Sequence, residues 1–520
     1  MGLEDQKGAI TEVTDVSSDK KYPDVYEVED VQETLDFSKM DKAAQIMHGS
    51  NINLDEVDPK VIAKLTRKVD MMILPFIFVS YIFFYVDKTT LSYAAIFGIV
   101  KDLNLTGSKY SWLSSLFYFG FLFWSFPTNY LMLKFPIGKY LGINIFLWGV
   151  LLMIQAACNS FKTLAVLRVL GGAAEACADP AFMLITGMWY TRRQQPLRIG
   201  IWFSATGVGV AFGGLLGYAI GNIKGSLPSW KYEFLVIGAL CATWGLVVFF
   251  FLPDSPVTSK YLTEDERVLL LTILKSNQTG IENKTLKWDQ VKECLMDIKV
   301  WLLFFGVLGA NVPNGGYSNF GTIIIKGLGF STLGTTLLSI PYGASIAFSI
   351  LICVYLNHAL SRNGENRRVV LLAIFILPNV AGTFGLYFLP QTNKAGRLIC
   401  YYLTGPGYAS FVLVLSLFSG NVAGHTKRTV ANTIMFLGYC IGNLIGPFFY
   451  LDSQKPKYPL GIGSMLTGVL LSGCTAIILG FYLKWCNKRR DEEQGGRSTD
   501  LSNSFKDMTD KQNKNFRYIY

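Results

Sequence analysis

Apolar residues run along this chain in blocks of about 18 or more, parted by short polar links, a pattern that predicts about twelve transmembrane helices. The first block, MMILPFIFVSYIFFYVDKTTLSYAAIFGIV, follows Lys64, Arg67 and Lys68 and carries Asp87 and Lys88 well inside it. A second is expected from Trp112 to Leu133 and a third from Leu141 to Ala157. The fourth, from Ala165 to Trp189, is long enough to cross a bilayer yet holds Arg168, Glu175 and Asp179. A charge at bilayer depth costs about 2.5–3.5 kcal/mol on insertion scales, so such residues face protein or a polar path. At about 100° per residue, steps of seven and four place all three within roughly 40° on one face of a continuous helix. Gly171, Gly172, Ala173, Ala174 and Ala178 let neighbouring backbones approach and enclose that face.

A glycine-rich fifth block and a sixth ending in LPDSP complete one set of six. Six more begin near Val300, Thr332, Val369, Leu398, Val430 and Ile462. Two sets of nearly equal length predict an all-α membrane protein of 12 transmembrane helices in two pseudo-symmetric halves. The expected organisation is a largely disordered polar tail over residues 1–68, a first half over 69–253, a connector over 254–298, a second half over 299–485 and a tail over 486–520. The connector predicts a capping-box helix starting near Thr263. The final tail reads as a membrane-surface anchor, with Cys486 open to palmitoylation, followed by disorder.

Composition narrows the function. With 51% hydrophobic and 16% charged residues, the chain is too poor in charge for a soluble protein of its length. The net charge of +10 sits in short links, in the connector and in the tails, which reads as positive-inside topology and not as nucleic-acid binding. Both termini are then expected in the cytoplasm, with the plasma membrane as the first expectation and the endoplasmic reticulum or vacuole open. In that orientation Asn104 faces outward as a glycosylation candidate, whereas Asn277 and Asn283 face inward. Nine cysteines without metal-like spacing and three scattered histidines predict neither a metal site nor a catalytic cluster, so an enzyme is not expected. In the second half, Asn314 with Gly315 and Gly316 predicts a break in the seventh helix that exposes backbone donors to a ligand.

Several stretches together carry a resemblance: YVDKTTLSYA, LRVLGGAAEACADP, LPDSP, NGGYSNFGTIIIKGLGFS and AGHTKRTVANTIMFLGYCIGNLIGP. From Lys64 to Lys484 the chain resembles the fungal allantoate permease group, in the anion:cation symporter branch of the major facilitator superfamily. That resemblance implies a carrier of small organic anions coupled to protons, needing no cofactor beyond the proton gradient and working as a monomer in the lipid bilayer. It implies Asp87 and Glu175, with Asp179 beside them, as proton-coupling acids, and Arg168, Lys88 and Tyr85 as substrate contacts. Where the wider branch has arginine after the first-span aspartate, this chain has Lys88, which lacks the planar fork that grips a carboxylate. The resemblance therefore makes Arg168 the principal anion clamp.

Burial and neighbouring cations can balance such a carboxyl between holding and releasing a proton. An arriving carboxylate competes for the same cations, so anion and proton bind with positive, reciprocal coupling. A nutrient-sensing receptor on a transporter scaffold is the alternative, and a membrane-embedded transferase a further one. Allantoate, ureido acids, vitamin-like carboxylates, sulfonates, dipeptides and simple monocarboxylates all remain open as substrates.

Overall fold

Asp58 starts the first helix: its carboxylate accepts a hydrogen bond from the Lys60 amide at 2.8 Å, and Pro59 occupies the first helical position. That helix runs unbroken to Ile96, so it begins ahead of the tail boundary expected at residue 68. The computed structural model describes residues 57–191, 194–275, 287–362, 367–496 and 508–520. The expected disorder of the first tail up to residue 56, and Asn277 and Asn283, lie outside them.

Among the described residues, twelve helical rods follow one another up and down. The first half comprises Pro59–Ile96, Lys109–Lys134, Ile137–Gln155, Phe161–Glu175 continued by Ala178–Trp189, Gln195–Gly221 and Ser229–Phe251. The second comprises Ile298–Gly327, Thr332–Arg362, Arg368–Phe388, Lys394–Tyr402 continued by Gly407–Asn421, His425–Ile445 and Pro459–Gln494. They are numbered here as spans one to twelve. Ten are long and apolar enough to cross a bilayer, and an eleventh if Trp288–Leu295 and Ile298–Gly327, bent by 61°, count together. The remaining rod, the second span, is diluted by Ser, Tyr, Trp and Asn side chains. An even number of crossings puts the start of the first span and the end of the twelfth on one face, called the terminal face below; the opposite one is the far face.

Two expectations about helix continuity are corrected. The fourth span is interrupted at Ala176–Cys177, where Pro180 supplies no amide hydrogen to the carbonyl four residues back. The seventh span, in contrast, runs straight through Asn314–Gly316 as one helix, so no broken helix offers backbone donors there. Its glycines serve close approach, since a Cβ on Gly315 would strike the backbone of Asn443 and one on Gly316 the Tyr450 hydroxyl.

Small residues also set the contact between the halves. A Cβ on Gly207 of the fifth span would collide with the backbone of Gly343 and Ala347 of the eighth, and one on Gly343 with that of Gly207 and Ala211. Near the far face, hydrogen bonds cross the same seam. The Ser92 and Thr322 hydroxyls meet at 2.7 Å, Tyr110 donates to the Asn319 carbonyl at 2.7 Å, and Ser111 to that of Pro447 at 2.9 Å. On the terminal-face side the rings of Phe203 and Phe411 stack across it at 6.1 Å.

The connector and the final tail brace the terminal face. Thr263 and Glu266 form the expected capping box of Glu264–Lys275, through amide-to-side-chain bonds of 3.0 and 3.3 Å, and Glu266 also pairs with Lys68. The bond from Lys68 holds the Glu266 carboxyl below the usual range. Asp254 of the LPDSP stretch accepts from the amides of Gly138 and Lys139 at 3.0 and 3.2 Å, capping the third span. Residues 508–520 do not follow the disorder expected of the last tail. They pack beneath the second half, with Thr509, Asp510 and Tyr518 buried.

Candidate functional site

Four of the charges singled out in the sequence lie deep in the first half: Asp87, Lys88, Arg168 and Glu175 are each buried, and Asp179 is half-buried. Beside them, glycine lets the second and fourth spans touch backbone to backbone. A Cβ on Gly172 would overlap the Phe117 carbonyl, and one on Gly120 that of Val169.

Asp87 and Glu175 face one another, Arg168 lies within electrostatic reach of Asp87, and Lys88 lies within reach of Glu175 and Asp179. These groups stop short of ion pairing. One Asp87 oxygen accepts from the Trp148 indole at 3.0 Å; the other and both Glu175 oxygens have no donor from elsewhere in the protein, and the two carboxyls are close enough to share a proton. The hitch at Ala176–Cys177 falls between Glu175 and Asp179, which still lie within electrostatic reach of one another. Asp179 turns toward Tyr81 and Lys88.

The two bases differ in where they point. Arg168 donates through Nε to the Leu113 carbonyl at 3.3 Å and stacks 4.9 Å from the centre of the Phe117 ring, so it is held inside the first half. Lys88 reaches the seam. Its ammonium donates to the Tyr439 hydroxyl of the eleventh span at 2.9 Å and sits 3.7 Å over the Phe84 ring and 5.2 Å from that of Tyr85. An ammonium has three protons to donate, and this single neutral acceptor leaves capacity for an anion.

The second half answers with neutral groups. Tyr85 meets Tyr408 edge-on at 6.4 Å, and the Tyr408 hydroxyl donates to Asn314 Oδ1 at 2.8 Å. Asn314 donates to Asn443 at 2.8 Å, and Asn443 to Asn311 at 3.0 Å and to the Tyr439 carbonyl at 2.9 Å. Asn314 therefore reaches the site through its side chain and not through an opened backbone. Trp148 and Tyr439 are the contacts that sequence reasoning misses. A lone aromatic residue in an apolar block carries no mark to separate a hydrogen-bonding role from packing.

Two further places lie away from this site, and of these only Asn104 is named in the sequence. Asn104 sits at the far-face end of the first span with a left-handed φ of 48°. The described acids that converge closely enough for a metal ion, Glu293, Asp297 and Asp510 at the terminal face, surround the Lys427 ammonium at 2.7–2.8 Å.

Comparison with known proteins agrees with the helical architecture. Residues 77–447 match the family model described as Major Facilitator Superfamily. An uncharacterized transporter of Schizosaccharomyces pombe is 36% identical, over 88% of this chain and 86% of its own length. The thiamine pathway transporter of Saccharomyces cerevisiae is 33% identical over 94% and 92%, and that yeast's allantoate permease 32% identical over 89% and 87%. Among solved structures, a bacterial homologue of the human lysosomal transporter Spinster, in an inward-facing and unoccupied conformation, has a TM-score of 0.59 at 14% identity. That match covers 80% of this chain and 96% of that one, a likeness of fold alone.

Proposed function

The chain belongs to the Major Facilitator Superfamily, and from that premise we propose that this multi-pass membrane transporter imports small organic anions together with protons. It works as a monomer by alternating access, without a cofactor, in a plasma membrane whose cytoplasmic side is the terminal face. The observation that carries the reading is the set of buried, incompletely partnered groups at the seam: Asp87 and Glu175, facing each other with no other donor on three of their four oxygens, beside Lys88.

Burying charge without pairing it costs several kcal/mol, which selects against such an arrangement unless the groups are used. The substrate carboxylate binds Lys88 at the seam, displacing the Tyr439 hydroxyl, while Tyr85, Tyr408 and Asn314 face its neutral part. Arg168, tied to the second span, acts as the charge partner of Asp87, which reverses the clamp assignment implied by the family resemblance. Once an anion occupies Lys88, Asp87, Glu175 and Asp179 all lose part of the cation that favours their ionised forms, so they take up protons as the anion binds. Similarity to allantoate permease supports a ureido acid or another small carboxylate as cargo.

The test is uptake of radiolabelled allantoate and a panel of monocarboxylates into proteoliposomes, with and without an imposed inward proton gradient. The wild type is expected to accumulate at least one acid only with the gradient. Asp87→Asn should lose accumulation by more than about tenfold while retaining exchange across equilibrated membranes. Equal accumulation without a gradient would sink the coupling, and normal accumulation by the variant would sink the role of Asp87.

A further inference from the structure

The last described residues form a strap across the terminal face of the second half. Lys299, at the start of the seventh span, donates to Asp510 and to the Asn421 carbonyl, and its ammonium lies 4.1 Å from the Tyr518 ring. Lys427, at the start of the eleventh, meets Asp510 at 2.8 Å, Asp297 at 2.7 Å and Glu293 at 2.8 Å. Thr509 donates to Glu293 at 2.8 Å, and Tyr518 to Asp510 at 2.8 Å. At the end of the tenth span, the Asn421 side chain exchanges two bonds of 2.7 Å with the backbone of Ile519. Asn487 of the twelfth does the same with Tyr518, at 2.8 and 2.9 Å. Thirteen residues of tail thus tie together the ends of four spans and one connector helix.

One of the tied elements has a weak point. The tenth span leaves regular α-helix between Tyr402 and Gly407, where tighter bonds to the third residue back replace the usual ones and Pro406 has no amide hydrogen to give, so the backbone there is held by fewer and poorer bonds than in an unbroken helix. That segment carries Tyr408, which faces Tyr85 and bonds Asn314, and Phe411, which stacks on Phe203 of the first half. It also carries Ala409, whose carbonyl covers the Cys353 thiol at 3.7 Å. Its other end is Asn421, held by the tail.

We propose that the docked C-terminal tail is a brake on the terminal-face gate: by fastening Asn421 and Lys427, it restrains Gly407–Asn421 and the eleventh span from swinging away from the first half. Release of the tail frees the segment to pivot at Gly405–Gly407, parting Phe411 from Phe203 and opening the site toward the terminal face. The fastening does not respond to ordinary pH. Burial pushes the Asp510 carboxyl up, but the ammonium groups of Lys299 and Lys427 outweigh it and hold it down at about 2. A carboxyl lowered in this way stabilises the folded state above its unfolded value of about 3.9 and loses that contribution only as pH falls through about 2. Control therefore belongs to whatever competes for or removes the tail.

The inference rests on alternating access, but its test reads the hinge itself and can fail without touching proton coupling. Native Cys353, which is buried under the segment, is compared with Cys241, equally buried in the first half, by N-ethylmaleimide labelling of the purified full chain and peptide mass spectrometry. Asp510→Asn, and separately a chain ending at residue 507, should speed labelling of Cys353 by about tenfold or more with Cys241 unchanged. An unchanged Cys353 rate in both variants overturns the brake. So does equal acceleration at both thiols, which would make the tail a general support of the fold.

Discussion

The two halves bury charge in opposite ways. In the first, Asp87, Lys88, Arg168 and Glu175 lie near mid-span, close enough to sense one another yet without an ion pair within 4 Å among the described residues. In the second, the wall facing them is built from amides and phenols, and the buried ionic cluster lies at the terminal face, where Lys299, Lys427, Asp297 and Asp510 are all paired. A paired buried charge behaves as a fastener: removing one member strands the rest. A buried charge left short of partners holds nothing together, and its expense has to be offset by use.

That contrast can be broken by measuring stability on each side of it. The largest effect is expected for Lys427→Ala, which leaves Glu293, Asp297 and Asp510 crowded without the ammonium they share. Thermal unfolding in detergent should register a loss of about 3–5 kcal/mol. Asn443→Leu comes next. It deprives Asn314 and Asn311 of their shared partner, and the same melt should report about 1–3 kcal/mol. Glu175→Gln should be the mildest. Its amide can still donate to the Asp87 carboxylate that Glu175 faces, so stability should stay within about 0.5 kcal/mol of wild type. A melt as damaging for Glu175→Gln as for Lys427→Ala would erase the distinction between fastener and working charge.

The helical architecture is legible in the sequence because lipid leaves the backbone no partner but itself, so each apolar block has to become a helix. Asp87, Lys88, Arg168 and Glu175 are legible for a related reason: a charge in such a block is too costly to be incidental. What escapes is set by neutral or distant partners. Trp148 and Tyr439 look like packing until the coordinates bring them to Asp87 and Lys88. The hitch beside Glu175 is foreshadowed by Pro180, whereas the Asn314-Gly-Gly stretch suggests a break that does not exist, because its glycines make room for Asn443 and Tyr450. The tail is hidden for another reason. Asp510 reads as one more polar residue until Lys299 and Lys427, far away in the chain, supply its counter-charges.

Where the fifth and eighth spans meet, Gly207 and Gly343 bring main chain against main chain. At that point no side chain stands between the two helices, whereas toward either end Val354 and Leu333 seat against Gly200 and Gly221. The separation of the two halves at their closest point is thus fixed by what these two residues lack, and even a methyl group added at either would push the halves apart.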